Sequence, residues 1–336
     1  MAHLDIFNND AFSMVEMLSA VDNVEYRPNR LQSLGLTEVK NIRTESVSIE
    51  TRTDRGVGLI QTTPRGANLE RVDSDSRDIR DFRTTRIGEF DKLTAAEIAN
   101  IRAFGQESEL MQAAREVQSR LNKLEEDIAL TEEHMLLGMI QGVVVDADGS
   151  EIYNWYDELN VTPAAEIDFD LTGSATLSTI RQQCIDILRA IRRNAKGAMF
   201  NGAHAFCGDE FFDALVTNPE IEKIYLNQQA ASELRDEVSN IFRFGGITFE
   251  NYIGTDDNST VAIESTKAKI IPANARGVFV EARAPGESFS VINQPGRRRY
   301  AQVIPDRDRD EWVRVEMKTY PLFVCQRPAM LRSAKI

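Results

Sequence analysis

The first ninety residues of this chain cannot build a core of their own, and that restricts every fold open to it. Residues 1–40 offer only a short helix, capped by Asn9 or Asp10, with Phe12, Met14, Val15 and Leu18 on one side. Arg27-Pro28-Asn29-Arg30 breaks it. Val47, Ile49 and Thr51 then alternate with Ser48, Glu50 and Arg52. Asp54-Arg55-Gly56 supplies a turn, and Val57 to Ile60 returns as the second strand of a hairpin. From Arg43 to Lys92, ten basic and ten acidic residues interleave. A lone two-stranded ribbon is not stable in water. Both segments need another surface to lie on, and a neighbouring copy is the expected one.

Beyond residue 90 the sequence does build a core. Thr94 and Glu97 form a capping box ahead of a helix expected over about 94–140, bent at Gly105. Ala114, Val117, Leu121, Leu124, Ile128 and Met135 keep three- and four-residue steps along it. The clean heptads are too few for a coiled coil, so the helix should pack on a sheet. Val143 to Trp155 reads as two strands joined at Asp148-Gly149. A second helix falls near 174–195, with Leu177, Ile180, Cys184, Ile187, Leu188 and Ile191 in register. Residues 288–318 read as two long extended runs, and 320–327 as an apolar last strand. The class is α+β, without the regular alternation of a doubly wound sheet.

Composition excludes several functions. A formal net charge of −14 argues against a protein that reads nucleic-acid sequence, which needs a basic face, but not against a wall that merely encloses DNA. The 30 arginines against 9 lysines suit interfaces, where the planar fork makes bidentate pairs. No apolar run approaches the about 20 residues that span a bilayer, and the start lacks the form of a secretory signal. Cys184, Cys207 and Cys325 are odd in number and widely spaced, as reduced thiols are.

Chemical motifs are weak. Asp146-Ala147-Asp148-Gly149 opens like a calcium loop, but its glycine stands at the fourth place where calcium needs the sixth, so a hairpin turn is the better reading. His204 and Cys207 are close in sequence, yet nothing orients the imidazole and the thiol lies among apolar neighbours. Glu132-Glu133-His134 lacks a second histidine for zinc, and Gly56 with Gly58 lacks the third glycine of a dinucleotide loop. Arg297-Arg298-Arg299 reads as a solvated or interface face. No catalytic residue, metal site or cofactor is expected.

Local matches run almost end to end: Thr131 to Gly138, Asp146 to Trp155, Ala205 to Phe212, Phe244 to Tyr252, Arg298 to Ala301 and Tyr320 to Pro328. In this order they resemble the major capsid proteins of lambda-type tailed phages. Asn160 departs from the pattern, standing where glycine is more usual, and Tyr320 replaces a common asparagine. The resemblance implies the Hong Kong 97-type capsid fold. Residues 1–42 would be the N-terminal arm and 43–90 the extended loop. Residues 91–164 with 288–319 would form the peripheral domain carrying the long spine helix, and 165–287 with 320–336 the axial domain.

The implied function is self-assembly into hexamers and pentamers of an icosahedral head around double-stranded DNA. The particle would be a virion assembled in the host cytoplasm, with no membrane. A scaffolding protein is expected as a separate partner, because no extension precedes the arm, together with a portal. Residues 43–91 contain no lysine, so a loop-lysine cross-link cannot form and a decoration protein is the expected reinforcement. Arg52, Asp54, Arg55, Arg77, Arg80 and Asp81 are the candidate intersubunit contacts. Reversing Asp54 to lysine is expected to lower shell yield, most at low salt where repulsion is least screened. An encapsulin-like compartment of the same fold, or a hydrolase using Cys207, are the alternative readings.

Overall fold

The computed structural model describes residues 30–53, 76–100, 109–173, 176–219, 221, 222, 224, 240–253, 261–309 and 311–336. The expected arm helix near residues 9–18, the Asp54-Arg55-Gly56 turn and the bend at Gly105 lie outside them.

The helices are α1 (Arg30–Ser33), α2 (Ala95–Asn100), α3 (Glu109–Gln141), α4 (Trp155–Glu158), α5 (Leu177–Asn194) and α6 (Asp209–Thr217). In chain order the first strands are β1 (Glu38–Asn41), β2 (Ser46–Thr53), β3 (Ser76–Arg83), β4 (Ile87–Thr94), β5 (Val143–Val145), β6 (Glu151–Asn154), β7 (Ile167–Asp168) and β8 (Ala203–Cys207). There follow β9 (Ile241–Phe244), β10 (Ile247–Asn251), β11 (Lys267–Pro272), β12 (Phe279–Arg283), β13 (Tyr300–Pro305), β14 (Trp312–Thr319), β15 (Pro321–Cys325) and β16 (Arg332–Lys335).

These strands make a six-stranded sheet ordered β7-β16-β11-β8-β10-β9, two three-stranded sheets (β1-β12-β15 and β13-β14-β4), and the pairs β2-β3 and β5-β6. Mixed parallel and antiparallel pairing confirms the α+β class.

The long helix α3 serves two cores in turn. Its 33 residues reach about 50 Å at 1.5 Å per residue. Val117, Leu121, Leu124 and Ile128, the stripe expected from spacing, pack on Leu93, Ala301, Val313, Val315 and Met317 of the β13-β14-β4 sheet. One turn later Met135, Leu136, Leu137, Met139 and Ile140 enter the larger core under the six-stranded sheet. The helix ends where Gly142 takes φ +90°, a left-handed position that suits glycine. Helix α5 buries Ile180, Cys184, Ile187 and Ile191, as its periodicity predicts.

The capping box forms: the Thr94 N–H donates to Glu97 Oε2 at 3.1 Å, and the Glu97 N–H to Thr94 Oγ1 at 3.4 Å. Strands β5 and β6 pair across a turn at Gly149, φ +81°. Asp146 Oδ1 accepts the Ala147 N–H and Asp148 Oδ1 the Ser150 N–H, which explains these carboxylates as turn chemistry. Asn160 adopts φ +51°, which accounts for its departure from glycine: asparagine is the side chain that best tolerates this region.

Two expectations need correction. The strand returning beside β2 is Ser76–Arg83, paired residue for residue from Ser46↔Arg83 to Thr53↔Ser76, and not Val57 to Ile60. The first extended run of the 288–318 region starts at Tyr300. Before it, Ser288 O accepts the N–H groups of both Val291 and Ile292 and closes a tight turn.

Candidate functional site

The strand pair β2-β3 carries most of the charged residues singled out from sequence. Arg52 and Arg77 face each other in register, while Asp54 and Arg55 lie outside the described residues. Arg80 already has partners within the chain: Nη1 donates to the Glu158 carbonyl at 2.5 Å, and Nε lies 3.2 Å from Asp78 Oδ2. Asp81 Oδ1 accepts the Ser48 hydroxyl at 2.5 Å. The ribbon is polar on both sides, and Ile79 is 64% exposed.

At its foot the ribbon is held by three rings. Phe82 packs edge-on to Trp155 (centroids 5.2 Å) and to Tyr153 (5.6 Å), and Tyr153 stacks on Trp155 at 5.4 Å. The Tyr153 hydroxyl accepts the Arg83 N–H at 3.0 Å and donates to the Arg83 carbonyl at 2.9 Å. Trp155 is wholly buried. Alternation along β3 puts Phe82 inward and Ile79 outward.

The strongest electrostatic feature was not foreseen. Glu125 and Glu132 stand seven residues apart on α3, two turns along one face. Between them lies Arg299, only 3% exposed, which corrects its reading as a solvated residue. Its Nε donates to Glu125 at 2.5 Å, and Nη1 and Nη2 reach both oxygens of Glu132 at 2.6 and 2.9 Å. Glu132 also accepts from Gln32 at 3.2 Å and from the Thr319 hydroxyl at 3.4 Å. Next to it, Glu133 Oε1 accepts the Leu31 N–H at 2.8 Å and the Tyr252 hydroxyl at 3.0 Å. Burial disfavours the Arg299 charge, but the two carboxylates outweigh it and hold its pKa well above the ordinary value. Burial pushes Glu133 up, against the lowering effect of the Leu31 N–H and the Tyr252 hydroxyl. This junction ties α1, α3, the start of β13 and the end of β14 together. The two glutamates at a seven-residue step on an otherwise apolar face are the signal that could have located it.

His204 and Cys207 do not pair. They lie three apart on strand β8, so their side chains leave opposite faces. The histidine is nevertheless oriented, contrary to expectation: its Nε2 is 2.8 Å from Glu250 Oε2, and the same carboxylate takes the Arg30 guanidinium, Nη2 at 2.8 Å. Burial raises the Glu250 pKa, but His204 and Arg30 together leave it below the usual carboxylate value. A depressed carboxylate contributes stability that is complete above its unfolded pKa of 4.5 and lost as pH falls through the folded value. Glu250→Gln should therefore flatten the acid limb of the stability curve below pH 4.5; an unchanged limb would refute the assignment.

All three thiols are buried. Burial lifts the Cys184 and Cys325 pKa values to about 12 and that of Cys207 further. Native protein should accordingly react with a thiol reagent far more slowly than denatured protein. Rapid stoichiometric labelling at Cys207 would revive the hydrolase reading. Among the described residues no three metal-ligating side chains converge, and no helix is long and apolar enough to cross a membrane.

Comparison with known proteins matches residues 13–336 to the family described as phage major capsid protein E. A major capsid protein of Salmonella phage Felix O1 is 24% identical, with 95% of each chain covered. Among solved structures, the putative capsid protein of an Escherichia coli CFT073 prophage superposes with a TM-score of 0.57 at 13% identity, covering 96% of this chain and 98% of that one. The mature capsid subunit of bacteriophage PhiM1 gives 0.54 at 11% identity, over 94% and 89%. The capsid of cyanophage P-SCSP1u gives 0.52 at 7%, over 93% and 89%. At such identities the likeness is one of fold, the Hong Kong 97-type capsid fold.

Proposed function

The chain belongs to the phage major capsid protein E family, and from that premise we propose that its copies associate as hexamers and pentamers of an icosahedral head. The head encloses double-stranded DNA without reading its sequence, and the particle is assembled in the host cytoplasm. The protein acts by binding copies of itself and catalyses nothing.

The observation that carries this reading is the β2-β3 ribbon. It is paired over eight residues a side and anchored at one end by Phe82, yet polar along its length with Ile79 exposed. A two-stranded ribbon of that character gains its stability from a second surface. Residues 1–42 then serve as the arm and 43–90 as the loop that reaches a neighbour. Residues 91–164 and 288–319, which include α3 and the β13-β14-β4 sheet, serve as the peripheral domain. Residues 165–287 and 320–336, which include most of the six-stranded sheet, serve as the axial domain. Arg52, Asp54, Arg55, Arg77 and Asp81 make ion pairs across subunits, while Arg80 braces the ribbon on its own chain. Scaffolding, portal and decoration proteins are the proposed partners.

Electron microscopy and sedimentation of the purified protein, with and without its co-expressed neighbouring genes, test the assignment. Uniform shells or hexamers are expected. A strictly monomeric species under every condition would overturn it.

A further inference from the structure

Two features at opposite ends of one sheet have no role in the account so far. Strands β1 and β12 run parallel, Glu38 beside Val280 and Asn41 beside Arg283. At their N-terminal end lies a cavity of about 690 Å³, with Leu34, Leu36, Pro272, Ala275 and Phe279 as its apolar lining and Glu38 at its edge. Beyond their C-terminal end, the turn that follows β12 presents Phe289, fully exposed at 102%.

That phenylalanine is not on a loose loop. Ser288 O accepts two backbone N–H groups, Gln294 N–H donates to Val291 O at 3.0 Å, and the Gln294 side chain returns to Ser290 O at 2.9 Å. Val291, two residues on, is buried with Ala284, Tyr300 and Tyr320. A rigid base holding one bare aromatic side chain is the form of an interface anchor, because little conformational entropy remains to be lost on docking. The five residues of β12 put about 17 Å between the two ends at about 3.3 Å per residue. The anchor therefore cannot enter its own chain's cavity.

We propose that Phe289 of one subunit docks in the cavity between α1 and β12 of a second copy. A knob and a hole on different patches of one molecule make a heterologous, head-to-tail contact, the kind that closes into rings. The occupant is a second copy because the contact joins the two ends of one element and the chain belongs to a shell-forming family. This rests on the shell reading above.

The test keeps Phe289 and adds cysteines beside each feature, Ser290→Cys and Glu38→Cys in one chain. The native cysteines are buried, so oxidation reports on the new pair. Disulfides need Cα atoms within about 7 Å, which the two ends of one chain do not satisfy. Oxidised shells should give a ladder of multimers on a non-reducing denaturing gel, absent from either single variant. In parallel, Phe289→Ala should raise the protein concentration needed for assembly by about tenfold or more. Intact shells with no ladder would overturn the contact and leave the shell reading standing. Absence of shells from the unsubstituted protein would overturn both.

Discussion

Arg299→Ala should destabilise the folded chain by about 3–5 kcal/mol, the cost of breaking a buried ion pair by removing one partner. The upper end is the better expectation, because two carboxylates, Glu125 and Glu132, lose their counter-charge together. Arg299→Lys should recover only part of the loss. An ammonium is a single point charge and cannot span two carboxylates seven residues apart with three parallel hydrogen bonds. Arg297→Ala is the matched control, since that side chain is exposed and reaches only Gln294; its effect should stay within about 0.5 kcal/mol. Denaturant unfolding of the unassembled subunit would measure all three. Equal midpoints for Arg299→Ala and Arg297→Ala would show that the buried network contributes nothing. The consequence for assembly follows from connectivity. Through Gln32 and Thr319, the same carboxylate positions α1 and the end of β14 against α3.

What could be read from sequence was what leaves a periodic trace. The α3 stripe from Val117 to Ile128 and the α5 face from Ile180 to Ile191 repeat every three or four residues, and both pack as their spacing predicts. The β5-β6 turn is legible for a similar reason, because Asp148-Gly149 needs one positive φ. The mate of β2 is not. Val57 to Ile60 is apolar and follows a turn signal, whereas Ser76–Arg83 carries only Ile79 and Phe82 among charges. Ladder hydrogen bonds are blind to side-chain polarity, and strand preference depends on what lies beside the strand. The ion-pair junction was hidden for another reason. Glu125, Glu132 and Arg299 are up to 174 residues apart, so only the folded chain brings them together. The capsid resemblance named the architecture, while the interior charges had to come from coordinates.

The foot of the ribbon should fail just as sharply. Trp155 is fully buried with Phe82 and Tyr153 on its faces, and truncating such a residue costs about 3–5 kcal/mol. Part of that loss is local. Phe82 is the buried apolar side chain by which β3 enters the main core, so Trp155→Ala should speed amide exchange along Ser76–Arg83 before it lowers global stability. Ile79→Ala, on the exposed side of the same strand, should change stability by no more than about 0.5 kcal/mol. If the two rings act as one anchor, Phe82→Ala and Trp155→Ala will not add. The double variant should fall short of their sum by about 0.5–3 kcal/mol. Strict additivity, with β3 amides protected as before, would move the anchor elsewhere, to the Arg80–Glu158 contact. For a ribbon that must reach a neighbour, the difference matters. A ring cluster fixes the angle at which it leaves the body, whereas a single half-exposed ion pair lets that angle drift.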